Sequence, residues 1–128
     1  MSTARLEHVN LTVPDPDATA ALLCRLFDWH VRWQGDAIDR GRSVHVGSDD
    51  DYLALYVGAE SPRAGASSYS TVHGLNHVAL VVDDLQETER RVVAEGFEPH
   101  SHADYEPGRR FYFRDSEGLE FEVLSYAR

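Results

Sequence analysis

Two stretches of the chain alternate apolar and polar residues in the same way, and each carries a histidine at the same step. They are "LEHVNLTV", residues 6–13, and "LNHVALVV", residues 75–82. Alternation with period two is typical of a β-strand with one buried face. His8 and His77 lie opposite the aliphatic faces, which should pack against helices, and they are 69 residues apart. This spacing is too long for a solenoid repeat and indicates a duplicated half-domain.

A helical pattern follows each of these strands. Asp15 is placed to cap a first helix that starts at Pro16, and Asp84 and Glu87 have capping-box spacing for a second. Hairpin patterns come next, "SVHVG" with "YLALYVG" in the first half and "RRFYFR" with "LEFEVLS" in the second. Each half is therefore predicted as a strand, a helix and about three further strands, which makes the fold class α+β.

The boundaries of the two modules follow from the composition of the segment between them. The first module covers about residues 4–60, a linker rich in Gly, Ser and Ala covers about 61–73, and the second module covers about 74–128. At 128 residues the two modules are expected to form one domain.

Composition and charge exclude several classes of function for this protein. The net charge is −10 and every basic residue is arginine, which argues against nucleic acid and excludes lysine Schiff bases and P-loops. The only cysteine, Cys24, lies among leucines and is interpreted as a buried, inert thiol. No membrane span or signal peptide is evident, so a cytoplasmic location is expected.

The last strand of the second half contributes a carboxylate to the repeat. Glu122 in "LEFEVL" occupies the slot that Ala54 occupies in the first half. His8, His77 and Glu122 are therefore predicted to converge as metal ligands around a shared pocket. Two imidazoles and one carboxylate suit Fe(II) first, with Mn, Co, Ni or Zn as alternatives. The competing interpretation is that both histidines are ordinary strand residues and that Glu122 is a solvated edge residue.

The stretches "EHVNLTV", "NHVALVVDDL" and "FYFRDSEGLEFEV" resemble the vicinal oxygen chelate superfamily, over nearly the whole chain. This superfamily includes glyoxalase I, fosfomycin-resistance proteins, bleomycin-binding proteins, methylmalonyl-CoA epimerase and type I extradiol dioxygenases. The resemblance implies two βαβββ modules in tandem, with sheets curled around a metal-centred cavity. It also implies metal ligands on the first and last strands of the modules, in agreement with the predicted triad.

The branches of this superfamily differ in their metal ligands and substrate-binding residues, which can be compared with this chain. Glyoxalase I and the epimerase have a fourth ligand where this chain has Ala54, and fosfomycin-resistance enzymes use a lysine that it lacks. Bleomycin-binding proteins have no metal triad. The ligand set is similar to that of type I extradiol dioxygenases, whose signature is matched by His102, Tyr112, Asp115, Gly118 and Glu122. Ser116 stands where that signature has proline, and the gap from His102 to Tyr112 is one residue longer.

The resemblance therefore implies a ring-cleaving dioxygenase that acts on a catechol-like molecule with Fe(II). In that reaction Tyr112 would hydrogen-bond the substrate and His102 would act as acid or base. Asn10, Tyr52 and Tyr56 would line the substrate pocket. A homodimer is expected, because members of this superfamily usually pair chains.

Two alternatives stay open. One is a lyase or isomerase of the glyoxalase type. The other is a drug-sequestering protein of the bleomycin-resistance type, in which Trp29, Trp33 and the tyrosines would stack a planar drug.

Overall fold

The computed structural model describes residues 2–105 and 108–127, with only the backbone of Tyr105. The chain forms two compact units, Met1–Arg63 and Ala64–Arg128. Each unit is a four-stranded sheet with one α-helix, and both sheets have the same strand order. The predicted α+β class with two βαβββ modules in tandem is confirmed. None of the helices in the described residues is long and apolar enough to span a membrane.

Unit 1 contains the first four strands and the first helix. The elements are β1 (His8–Thr12), α1 (Pro16–Phe27), β2 (His30–Ala37), β3 (Gly41–Gly47) and β4 (Tyr52–Val57). The strand order is β1-β4-β3-β2. β1 runs parallel to β4, and the other neighbours are antiparallel.

Unit 2 repeats this arrangement after a short 3-10 helix, Ser68–Ser70, which lies in the predicted linker. The elements are β5 (Val78–Val81), α2 (Leu85–Ala94), β6 (His100–Tyr105), β7 (Gly108–Arg114) and β8 (Glu120–Ser125). The order is β5-β8-β7-β6, again with the first strand parallel to the last. His77 immediately precedes β5.

Both helices begin as the sequence predicts. The Asp15 side chain accepts a hydrogen bond from the Ala18 backbone N–H at 3.1 Å, and Asp84 accepts one from the Glu87 N–H at 3.0 Å. These caps satisfy backbone donors that the first helical turn leaves without partners. Gly96, with a φ of +91°, directly follows the cap of α2. Only glycine adopts this conformation without a steric penalty, so Gly96 suits the end of α2.

The core of unit 1 lies between α1 and the sheet. Leu23 and Leu26 of α1 are fully buried, as are Val44 and Val46 of β3 and Leu55 of β4. Burying each of these side chains contributes about 1.5–3 kcal/mol. Along β1 the predicted aliphatic face is only partly covered: Val13, just beyond the strand, is buried, but Val9 is 46% exposed. Val9 lies on an edge strand, where the helix does not cover it.

The core of unit 2 is more aromatic. Phe111 and Phe113 of β7 and Phe121 of β8 are fully buried, together with Val92 of α2. The rings of Phe113 and Phe121 stack with centroids 5.1 Å apart. Because side chains alternate along a strand, the neighbours of these residues lie on the opposite face of the sheet. We call the face opposite the helix the site face of each unit, because it carries the predicted metal ligands.

Candidate metal-binding site

The site face of unit 2 brings two of the three predicted metal ligands together. His77 Nε2 lies 3.2 Å from Glu122 Oε2. Glu122 is only 7% exposed, although it is a carboxylate in a strand. A buried carboxylate requires charged or hydrogen-bonding partners. The second partner of Glu122 is Arg110, whose Nη1 donates to Glu122 Oε1 at 2.8 Å.

The geometry of this pair fits two neighbouring ligands of one metal ion. Two ligand atoms bound at about 2.1 Å and at right angles to each other lie about 3 Å apart. The observed 3.2 Å between His77 Nε2 and Glu122 Oε2 agrees with this separation. The other ring nitrogen, His77 Nδ1, is buried and has no hydrogen-bond partner among the described residues. Glu122 and the neighbouring aromatic ring therefore set the orientation of the imidazole.

That neighbouring ring belongs to Tyr112. Tyr112 is the cross-strand partner of Glu122, and its ring meets the His77 ring edge-on at 5.9 Å between centroids. On its other side it stacks with His100 at 6.2 Å. His100 Nε2 is in turn 3.9 Å from Glu120 Oε1. The site face of unit 2 therefore combines two histidines, one phenol and two carboxylates.

The third predicted ligand, His8, lies on the site face of unit 1. Its Nδ1 is 2.9 Å from Glu7 Oε1, and the Tyr52 hydroxyl donates to the same oxygen at 3.2 Å. These hydrogen bonds, first that of His8, lower the pKa of Glu7. When Nδ1 carries the proton, Nε2 is the nitrogen left to bind a metal. A carboxylate behind a histidine is the usual outer partner of a metal-binding imidazole.

Tyr52 belongs to a cluster of rings around His8. Its ring lies 4.9 Å from that of His8 and 4.6 Å from that of His45, and Trp33 lies 5.0 Å beyond His45. Arg32 covers the Tyr52 ring at 4.6 Å. Burial, followed by the charge of His8, lowers the pKa of His45. His45 is therefore held in its neutral form near pH 7.

The remaining predicted pocket residues of unit 1 lie along the same face. Asn10 is the register partner of Ala54 and is exposed. Tyr56 lies two residues beyond Ala54, where its hydroxyl donates to the Ile38 carbonyl at 3.1 Å. It lines a cavity of about 580 Å³ together with Arg40 and other polar residues. Tyr52 and Tyr56 therefore have different surroundings within unit 1.

Comparison with known proteins identifies the family. Residues 5–123 match the model of the Glyoxalase/Bleomycin resistance protein/Dioxygenase superfamily. The chain belongs to this superfamily. Among curated proteins, no sequence matches it closely enough to count as a relative.

Several solved structures share the fold at low identity. A glyoxylase/bleomycin resistance protein/dioxygenase domain from Frankia sp. EAN1pec is 20% identical, with a TM-score of 0.80 over 99% of this chain and 100% of that one. TioX from Micromonospora sp. ML1 is 22% identical, with a TM-score of 0.69 over 96% and 99%. A mutant of the fosfomycin resistance protein FosX from Listeria monocytogenes, complexed with Mn(II) and 1S,2S-dihydroxypropylphosphonic acid, is 20% identical, with a TM-score of 0.70 over 96% and 93%.

One residue carried over from the dioxygenase signature lies on the other side of its sheet. His102 faces α2, where its Nε2 is 2.6 Å from Glu89 Oε1 and its ring stacks on Phe111. The cause is a bulge in β6, because His100 pairs with Tyr112 but the next register pair is Ala103 with Arg110. Ser101 takes a φ of +56° at this point. The histidine of β6 that shares the face of Tyr112 is His100.

Sequence reasoning missed three residues near the predicted ligands: Arg110, His45 and His100. Arg110 lies two residues before Tyr112 on the same strand, so period two alone places it on the site face. His45 is the cross-strand partner of Ala54, and His100 that of Tyr112. Within the described part of either unit, no three His, Cys, Asp or Glu side chains are arranged to hold a metal ion. Of the three predicted ligands, the structure brings together His77 and Glu122 in unit 2.

Proposed function

We propose that this protein is a metal-dependent enzyme of the superfamily that acts on a small molecule with two neighbouring oxygen atoms. The residues proposed to hold the metal are His8, His77 and Glu122. The observation that supports this proposal is the 3.2 Å pair of His77 Nε2 and the buried Glu122 Oε2, which lies beside a phenol on one face of a sheet. Fe(II) is the first choice of metal for two imidazoles and one carboxylate, with Mn, Co, Ni or Zn as alternatives.

The reaction proposed is extradiol-type cleavage of a catechol by O₂. When bound, Fe(II) supplies the oxygen chemistry, and the protein orients the substrate. Tyr112 is placed to hydrogen-bond a substrate oxygen, because it lies directly across from Glu122. His100, stacked on Tyr112, takes the acid–base role in this proposal, since His102 faces the helix. Asn10 is proposed to line the substrate pocket from unit 1.

The test is oxygen consumption by metal-free protein that has been loaded anaerobically with Fe(II) and mixed with catechols. We expect uptake of O₂ in equal amount to catechol and a ring-opened product that absorbs visible light. Glu122→Gln should weaken metal binding strongly and abolish turnover, whereas Glu120→Gln, which removes a carboxylate on the same strand face, should keep the metal. Wild-type protein that binds Fe(II) but leaves every catechol intact would exclude the dioxygenase reaction.

The acid–base role proposed for His100 is tested by a separate substitution. His100→Gln should retain Fe(II) and lower kcat by at least about 100-fold, the usual contribution of a general acid or base. His102→Gln is the matched variant on the helix face and should leave kcat within about two-fold. Loss of turnover in His102→Gln with normal turnover in His100→Gln would reverse the assignment.

A second candidate function, sequestration of a planar drug, is favoured by the ring cluster of unit 1. Trp33 is 49% exposed beside His45 and Tyr52, so its face is accessible to a flat aromatic molecule. Trp29 packs instead on Phe27, with ring centroids 5.3 Å apart. Equilibrium dialysis of metal-free protein with planar drugs tests this function. Tight binding that Trp33→Ala removes, without any metal requirement, would favour it over the enzyme.

A further inference from the structure

Arg110 forms a buried ion pair with the proposed metal ligand Glu122. Both side chains are 9% exposed, and Arg110 Nη1 donates to Glu122 Oε1 at 2.8 Å. The guanidinium is also fixed from behind, because Nη2 donates to the Gly108 carbonyl at 3.2 Å. The two residues lie diagonally across the antiparallel strands β7 and β8. A long side chain spans such a diagonal readily.

The two oxygens of Glu122 consequently have different partners. Oε1 is held by Arg110, and Oε2 points to His77 Nε2 at 3.2 Å. A charge-assisted hydrogen bond at this distance fixes the plane of the carboxylate as well as its position. One oxygen is thereby directed towards the position that a metal beside His77 would occupy, while the other is turned away.

The neighbouring carboxylate on the same strand provides an internal comparison. Glu120 faces Arg114 at 3.5 Å, and the Arg114 side chain is 56% exposed. Its other oxygen accepts a hydrogen bond from the Tyr69 hydroxyl at 3.3 Å. Only the arginine of this pair is exposed, since the Glu120 side chain is 10% exposed. β8 therefore carries two buried glutamates, of which Glu122 has the shorter arginine contact, 2.8 Å against 3.5 Å.

We propose that Arg110 is a positioning residue for the metal centre. It holds Glu122 in the one orientation that presents Oε2 beside His77 Nε2. This inference rests on the proposed metal site and adds a residue that acts on the metal only through Glu122. Buried ion pairs contribute little net stability compared with apolar packing, so a role in orientation accounts better for this pair than a stabilising one does.

The decisive measurement is Co(II) affinity of metal-free protein, by calorimetric titration of wild type, Arg110→Met and Arg110→Lys. By charge alone, removing a cation near the site should strengthen metal binding. Positioning predicts the opposite sign: Arg110→Met should weaken binding about 10–100-fold, the usual effect of losing an outer partner of a ligand. Arg110→Lys should fall between, because an ammonium keeps the charge but lacks the planar fork. Arg114→Met is the control and should stay within about two-fold of wild type.

A double-mutant cycle shows whether Arg110 acts through Glu122. In a Glu122→Gln background, Arg110→Met should have little further effect on Co(II) binding, since the carboxylate it orients is gone. Thermal unfolding of each variant identifies any that fail to fold, in which case Arg110→Lys carries the comparison.

Two results would overturn the proposal. Arg110 variants that unfold at lower temperature but bind Co(II) as tightly as wild type, or more tightly, would make the pair purely structural. Wild-type protein that takes up no metal at all would overturn the proposed metal site itself. This failure is distinguishable from failure of the Arg110 proposal, because wild-type protein alone reveals it.

Discussion

The two units have one strand order, but they carry different residues at three of four equivalent positions. His8 and His77 are the same residue, but Ala54 of unit 1 corresponds to Glu122 of unit 2. His45 corresponds to Tyr112, and Trp33 to His100, in the same cross-strand pairs. Unit 2 thus carries the carboxylate, the phenol and the buried arginine, whereas unit 1 carries a cluster of rings. The two units therefore share a backbone arrangement and one histidine, and they differ on the neighbouring strands.

The largest expected difference between the two units is in unfolding free energy, when a buried helix residue is replaced with alanine. Leu26 of α1 and Val92 of α2 are both fully buried against their sheets. Leu26→Ala should cost about 2–5 kcal/mol of unfolding free energy, because it removes buried apolar volume and leaves a cavity. Val92→Ala removes one carbon fewer and should cost about 0.8 kcal/mol less. Urea unfolding of both variants measures this difference, and a larger loss for Val92→Ala would show that the more aromatic core tolerates cavities less.

The helix caps should behave alike in the two units. Asp15 and Asp84 each accept a backbone hydrogen bond, at 3.1 Å and 3.0 Å. Replacing either with alanine should cost about 1 kcal/mol, while asparagine should preserve most of the cap. The same unfolding experiment measures both variants. A loss of unfolding free energy in only one of the two variants would mean that the two caps share their geometry but contribute differently to stability.

The smallest predicted effect concerns protonation in unit 1. Because burial lowers the pKa of His45, the folded protein binds a proton at this residue less readily than the unfolded chain. Between the lowered pKa and the usual value near 6.5, the unfolded state holds more protons, so stability should fall as pH decreases through this window. NMR titration of metal-free protein should give a midpoint below 6.5 for His45. A midpoint above this value would contradict the burial of this ring.

Much of the fold followed from local patterns. Period two and the repeated histidine predicted both modules, and Asp15 and Asp84 predicted both helix starts. The face of Glu122 was predicted in the same way, because alternation along β8 opposes it to Phe121 and Val123. These features depend on residues close together in the chain, which is why a single sequence reveals them.

The features that the sequence did not reveal depend on pairing between strands. The face of His102 is reversed by the bulge at Ser101, and a bulge leaves no reliable mark on period two. The link between Arg110 and Glu122 requires the register of β7 with β8 and the reach of a long side chain. The position of His45 beside Ala54 likewise emerges only once β3 and β4 are paired.

The most direct test of the central claim is the metal content of untagged protein purified without chelator, for wild type, His8→Ala and His77→Ala. The predicted result is one metal ion per site in wild type and loss of the metal in both variants, with His30→Ala, an exposed histidine of β2, unchanged. Metal retained in His8→Ala would restrict the site to unit 2. Wild-type protein that holds no metal and takes up none from anaerobic Fe(II) would contradict the metal centre.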